Sequence, residues 1–246
     1  MLVTLATRTF TPEPTAAALR LGALARALAA GGDTVRVLTS RLAPSVARDA
    51  REAEETRASE NASGDAGERP GLVEVHRAPV LRDRTGAVRG YVSYMSFDLP
   101  LLARLLTGPR PDVIVSEPPP TTGAAVRIAC AARRVPYVYY CADIVSDAAA
   151  LAGVPSIVVR TVAGLESFAL RGARRVIAVS DGVARRARDL GARDVAVVPN
   201  GVRVPDAVAT GTPEGFPTCD GPVFVYAGTV AQWLAPEVFV DAFERA

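Results

Sequence analysis

VAVVPNGVRV, residues 195–204, is the stretch from which the architecture can be read. Val195 to Val198 have the character of a short buried strand, which stops at Pro199 because proline has no N–H for a sheet ladder. Asn200-Gly201 then suits a tight turn, since both residues tolerate positive φ. Alone, Pro-Asn-Gly is usually a surface turn. Here alternating strand and helix signals fill the chain before it, and a fresh apolar run, VFVYAG (223–228), follows. That setting predicts a hinge between two α/β domains, the second barely begun at residue 246.

Outward from the hinge, apolar runs bounded by turn residues predict six more strands. They are Leu2 to Ala6, DTVRVLTS (33–40), LVEVHRAP (72–79), DVIVSE (112–117), PYVYYCAD (136–143) and RVIAVS (175–180). Helical spacing falls between them. The first helix runs from Thr15, a suitable N-cap, to Ala30, with Leu19, Leu24 and Leu28 among small residues and Gly31-Gly32 as its stop. Others are expected over Gly90 to Leu106, from a Thr121 or Thr122 cap to about Arg134, over Pro155 to Arg171, and over Asp181 to Leu190. A strand–helix–strand unit within the first forty residues implies a parallel sheet by the handedness of such crossovers. The expected organisation is a doubly wound α/β domain over 1–200, a linker over 201–221, and the first strand and helix of a second α/β domain over 222–246. Residues 41–71 carry almost no large apolar side chains and read as a flexible, solvated insertion without chemistry.

A formal net charge of +2 argues against nucleic acid as a partner. All 28 Lys+Arg positions are arginine, which with the abundant Ala and Val suggests a GC-rich bacterial genome rather than a function. Cys130, Cys141 and Cys219 are too scattered for a disulfide framework or a metal site, so reduced thiols in a cytoplasmic protein are expected. The N-terminus lacks the basic region and apolar core of a signal peptide. There is no G-x-G-x-x-G after the first strand, no P-loop and no G-x-S-x-G elbow. His76, the one histidine, falls within an alternating strand and reads as structural.

Ligands of such sheets bind outside the carboxyl ends of the strands, so the strand-exit loops hold the candidates. The first loop offers Arg8, Thr9, Thr11 and Glu13; the loop after PYVYY offers Asp143, Ser146 and Asp147. Carboxylates four apart can serve acid–base chemistry or simply complement a helix dipole. Ser116 to Thr122, Ser180-Asp181 and Asn200-Gly201 are the other exits. Tyr91, Tyr94 and Phe97 at helical spacing suit core packing or the wall of a pocket.

FTPEPTAAALRLGALARALAAGGDTVRVLTS (10–40) resembles the opening of family-4 glycosyltransferases of the GT-B fold, with Pro-Glu in the first loop and a helix carrying an Arg. PDVIVSEPPPTTGAAVRIACAARRVPYVYYCADI (111–144) is similar to that family's fourth and fifth strands, with the Asp that follows the fifth. RRVIAVSDGVARRARDLGARDVAVVPNGV (174–202) resembles its approach to the hinge, and FVYAGTVAQWLAPEVFVDAFERA (224–246) the start of its donor domain. The resemblance implies a Rossmann-like acceptor-side domain and retaining transfer from a nucleotide sugar, with no cofactor and no bound metal. It places Asp143 as the catalytic candidate, Glu13, Arg20, Thr121 and Asp147 on the acceptor side, and Ser180, Asn200, Gly201 and Gly228 on the donor, phosphate and hinge side. It further implies a glycan, lipid-linked sugar or small-molecule acceptor, peripheral contact with the inner face of the membrane for a lipid-linked one, and an oligomeric state left open. With most of a donor domain missing from these 246 residues, little turnover is expected of the chain by itself. The alternatives are a non-catalytic acceptor-binding module paired with a separate donor subunit, and, disfavoured by its single histidine, a sugar-nucleotide epimerase.

Overall fold

A computed structural model describes residues 1–50, 72–83, 88, 90–201, 216, 221, 223–226 and 237–245. Its strands are β1 (Leu2–Ala6), β2 (Thr34–Ser40), β3 (Val73–Ala78), β4 (Val113–Ser116), β5 (Tyr137–Cys141), β6 (Arg175–Ala178) and β7 (Val195–Val197). They form one sheet in the order β3-β2-β1-β4-β5-β6-β7, and each neighbouring pair is parallel. The helices are α1 (Ala16–Ala30), α2 (44–50), α3 (Tyr91–Thr107), α4 (Pro120–Arg133), α5 (Val145–Leu151), α6 (Ser156–Gly172), α7 (Asp181–Asp189) and α8 (Glu237–Glu244). This is the expected Rossmann-like doubly wound sheet. Among the described residues no helix is long and apolar enough to cross a membrane.

Central strands of a parallel sheet are covered on both faces, which is why they read as continuous apolar runs. One core packs Val3, Leu5, Val35 and Val37 against Leu21, Ala25 and Ala29 of α1. The other packs Ile114, Tyr137 and Tyr139 with Leu101 and Leu105 of α3, Val126 and Ala129 of α4, and Leu170 of α6. Each fully buried Val or Leu contributes about 1.5–3 kcal/mol by leaving water. Small residues let these layers approach: a Cβ on Gly123 would lie 2.7 Å from both the Tyr139 ring and Ala169 Cβ.

The caps explain the starts and stops. Thr15 Oγ1 accepts from Ala18 N at 3.1 Å to open α1, and Gly32 takes φ +87° just after its end. Ser180 opens α7 in the same way, accepting from Val183 N. Helix α4 differs from the expected threonine cap: Pro120 occupies its first turn, where a missing N–H costs nothing, and no side chain caps it. Thr121 and Thr122 are thereby released for tertiary bonds. The short helix α5 stands where Asp143 to Asp147 suggested the start of a helix, and Glu166 of α6 reaches across to its first turn.

At the hinge, Val198 N still donates to Ala178 O at 2.8 Å, and pairing ends at Pro199, which has no N–H. The expected tight turn does not follow: Asn200 and Gly201 leave without one, and neither has a positive φ. The segment read as a flexible insertion begins with helix α2; residues 51–71 lie outside the described residues. So does Gly228, with most of the linker. Phe224 and Tyr226 set their rings against Phe243 and Phe239 of α8.

Candidate functional site

The chain runs outward from β1 to β3, then returns to place β4 on the other side of β1. The connections after β1 and β4 therefore leave in opposite directions and open a crevice at the strands' carboxyl ends, where ligands of this architecture bind. A cleft of about 600 Å³ occupies that point. Its floor and walls come from the β1 exit (Arg8, Thr9, Glu13), from Arg20 of α1, and from the exits of β4 and β5 (Glu117, Asp143). Ser45 and Val46 of α2 and Tyr94 of α3 also line it, so part of the segment read as chemically silent forms a wall.

Of the cleft's six charged groups among the described residues, Arg8, Glu13 and Arg82 are committed to holding it together. Arg8, 6 % exposed, donates to Asp98 Oδ2 and Thr121 Oγ1, both at 2.9 Å, and stacks on the Tyr94 ring 3.8 Å from its centroid. Asp98 Oδ1 accepts from Thr122 Oγ1 at 2.6 Å, so one buried ion pair ties β1, α3 and α4 together. Burial lowers the Arg8 pKa, with Asp98 the chief opposing charge. Glu13, also 6 % exposed, accepts from Phe10 N at 3.1 Å and from Arg82 Nη2 at 3.4 Å, which folds the first loop and pins it to the β3 exit.

Three groups remain. Arg20 projects from α1, with no side-chain hydrogen bond to any described residue and its Nε shut off from solvent. Its guanidinium lies 5.8 Å from the Tyr140 ring centroid. Glu117 is 3 % exposed; burial pushes its carboxyl up to about 7, with Asp143 adding to the rise and Thr7, Arg20 and Arg8 opposing it. The proton count agrees. Thr7 Oγ1 lies 2.5 Å from Glu117 Oε1 and 2.8 Å from the Thr9 carbonyl, yet its hydroxyl has one proton. Both contacts become hydrogen bonds when a protonated Glu117 donates to Thr7 and Thr7 donates to Thr9. Asp143 is open to solvent within the concavity, but the surrounding protein displaces enough water to raise its pKa, against the pull of Arg20.

The remaining sequence candidates sit elsewhere. Asp147 is outside the cleft lining and binds Arg186 of α7 through both carboxylate oxygens at 2.9–3.1 Å, a pairing that raises the Arg186 pKa. Thr121 serves Arg8, Ser180 caps α7, and Asn200 and Gly201 are exposed at the edge of the described chain. Of the acceptor-side set, the structure brings Glu13 and Arg20 into one cleft, together with the catalytic candidate Asp143. It adds Glu117, which lies in the Ser116 to Thr122 exit but which nothing in the sequence singled out from that loop. Next to the cleft, fully buried Glu166 accepts from Val145 N, Ser146 N and Ser146 Oγ; burial raises its pKa and these three donors lower it. The first turn of α5 is thus occupied by a side chain of the protein itself. Among the described residues no group of three or more His, Cys, Asp or Glu side chains is gathered as a metal site requires.

The switch-point cleft and its unspent Arg and carboxyl groups sit in a Rossmann-like α/β domain, and comparison with known proteins narrows the class. A family model, the glycosyl transferase 4-like domain, matches residues 15–201, and the chain belongs to that family. Comparison with curated proteins returned no match. Among solved structures, sucrose-phosphate synthase from Thermosynechococcus elongatus is similar, at TM-score 0.56 and 14 % identity over 82 % of this chain and 48 % of that one. Arabidopsis thaliana UGT89C1, in complex with UDP-L-rhamnose, aligns at TM-score 0.52 and 13 % identity, covering 87 % of this chain and 55 % of its own. At such identities the likeness is one of fold. The chain spans about half the length of each of these neighbours.

Proposed function

We propose that this chain is the acceptor-binding half of a nucleotide-sugar-dependent glycosyltransferase that works with retention, and that the switch-point cleft receives the acceptor's hydroxyl groups. One observation carries the reading: in a family-4 domain, Arg20, a cleft arginine with no side-chain hydrogen bond among the described residues, faces two carboxyl groups, Glu117 and Asp143, at the β4 and β5 exits. Carboxylates accept from sugar hydroxyls and a guanidinium donates to their oxygens, so the trio suits a neutral polyol. A dianionic acceptor would meet Asp143 directly. The acceptor is a sugar, free or lipid-linked.

In the proposed transfer the bond from the anomeric carbon to the departing diphosphate oxygen breaks as a bond to the acceptor oxygen forms on the same face of the sugar, so that configuration is retained. Asp143 holds the acceptor hydroxyl and takes its proton. Arg20 orients the neighbouring oxygens, and the protonated Glu117 forms a neutral floor that leaves Asp143 as the base. Negative charge developing on the leaving group falls to the donor side of the enzyme.

The test is a titration of neutral mono- and disaccharides followed by saturation-transfer NMR, on the wild type and on Asp143→Asn and Arg20→Gln. Hydrogen bonds to charged groups contribute about 1.5–3 kcal/mol, so each variant is expected to lose roughly ten- to hundredfold in affinity. Equal saccharide binding by all three proteins would overturn the assignment.

A further inference from the structure

A second concavity, of about 260 Å³, lies on the sheet face that α3 covers, away from the switch-point cleft. Thr4 of β1, Arg36 and Leu38 of β2 and His76 of β3 line it from the sheet; Thr4 is the register partner of Arg36, and Leu38 of His76. Arg104 and Leu105 close it from the last turn of α3, with Pro109 and Pro111 beyond. Tyr94 of the cleft is ten residues nearer the start of the same helix, about 15 Å along its axis.

Donors outnumber acceptors there. Thr4 is 2 % exposed, and its hydroxyl has no hydrogen-bond partner among the described residues. Arg36 Nε is shut off from solvent without an acceptor. The Arg104 guanidinium likewise makes no side-chain hydrogen bond to a described residue; burial lowers its pKa, and the Arg36 charge lowers it further. Glu74 Oε2 lies 3.9 Å from Arg36 Nη2, beyond hydrogen-bond reach, and 3.4 Å from His76 Nε2. Buried donors are normally satisfied, and two arginines turned toward one cavity repel each other unless an anion lies between them.

We propose that this cavity is a binding site for a phosphate dianion, free or as a phosphomonoester, bridged between Arg36 and Arg104 with the Thr4 hydroxyl as a third donor. Tetrahedral oxygens can serve two guanidinium forks at once, whereas a carboxylate is satisfied by one. The site is independent of the sugar cleft and of the function proposed for it.

The test is calorimetric titration of the full chain with inorganic phosphate and with phenyl phosphate at matched ionic strength, repeated on Arg104→Gln and Arg36→Gln, with thermal melts to confirm folding. Saturable binding at one site is expected, weakened at least tenfold by either substitution and unchanged by Asp143→Asn in the cleft. Stronger binding of phenyl phosphate than of inorganic phosphate identifies a phosphomonoester as the ligand; the reverse order identifies free phosphate. Should either variant fail to fold, cross-peaks of the Arg36 and Arg104 side-chain Nε–H groups in wild-type NMR spectra replace it, and they are expected to shift with phosphate. Absence of saturable binding, or binding that survives Arg104→Gln, overturns the proposal.

Discussion

Replacing Arg8 by methionine should cost the domain a large part of its stability, and the structure says where the cost arises. The Arg8 and Asp98 side chains are 7 % and 3 % exposed, 2.9 Å apart. Methionine fills much of the same volume but leaves Asp98 as a buried carboxylate whose remaining partner is Thr122. Breaking a buried pair by removing one member costs about 3–5 kcal/mol, because the survivor's charge is uncompensated. The lost guanidinium–Tyr94 stacking adds roughly 0.5–2 kcal/mol. Together these predict a fall of roughly 3.5–7 kcal/mol, or on the order of 10–20 °C in melting temperature for a chain of this size. Urea denaturation monitored by circular dichroism reads it directly. The double variant Arg8→Met/Asp98→Leu decides the mechanism: with both charges gone, it should recover at least half of the loss. A single variant that loses less than 1 kcal/mol, or a double variant whose loss is the sum of the two singles, would refute the reasoning.

Glu117→Gln should be close to neutral at pH 5 and stabilising at pH 8. The folded pKa of Glu117, about 7, lies above its unfolded value, so the stability it contributes is fully present below about pH 4.5 and is lost as pH rises through 7. The ceiling is about 3 kcal/mol at pH 8, read as the difference between urea midpoints of variant and wild type at the two pH values. Gly123→Ala should destabilise by about 1–3 kcal/mol, since its Cβ would press on the Tyr139 ring and on Ala169; thermal melts check it, and an unchanged melting temperature would show that the α4–α6 layer yields freely. The Asp147–Arg186 pair is 43 % exposed on both sides, so a double-mutant cycle should return no more than about 1 kcal/mol despite its bidentate geometry. A coupling above 2 kcal/mol would mean that the α5–α7 contact is tighter than its exposure implies.

The sheet was legible because burial on both faces writes itself locally, as runs such as LVTLA and VRVLTS between glycines, prolines and caps. The crossover rule gave a parallel sheet, while the strand order that puts the switch point between β1 and β4 came from the structure. The site was legible only as a set of loops. Which side chains remain available depends on pairings far apart in sequence: Arg8 is consumed by Asp98, ninety residues on, and Glu13 by Arg82, sixty-nine on. Asp147 and Asp143 are indistinguishable by type and loop, yet Arg186 claims one and the cleft keeps the other. Glu117 gave no motif, because its character comes from burial beneath Thr7 and the first loop. The start of helix α5 was legible but its extent was not, for a similar reason: its first turn is satisfied by Glu166, about twenty residues later.

The central claim is that the cleft between the ends of β1, β4 and β5 receives a sugar. A crystal structure of the chain soaked with the tightest-binding saccharide tests it most directly. The account predicts sugar hydroxyls within about 2.7–3.2 Å of both the Asp143 carboxylate and the Arg20 guanidinium. A saccharide seated elsewhere on the domain, with Arg20 and Asp143 left bare, would contradict it.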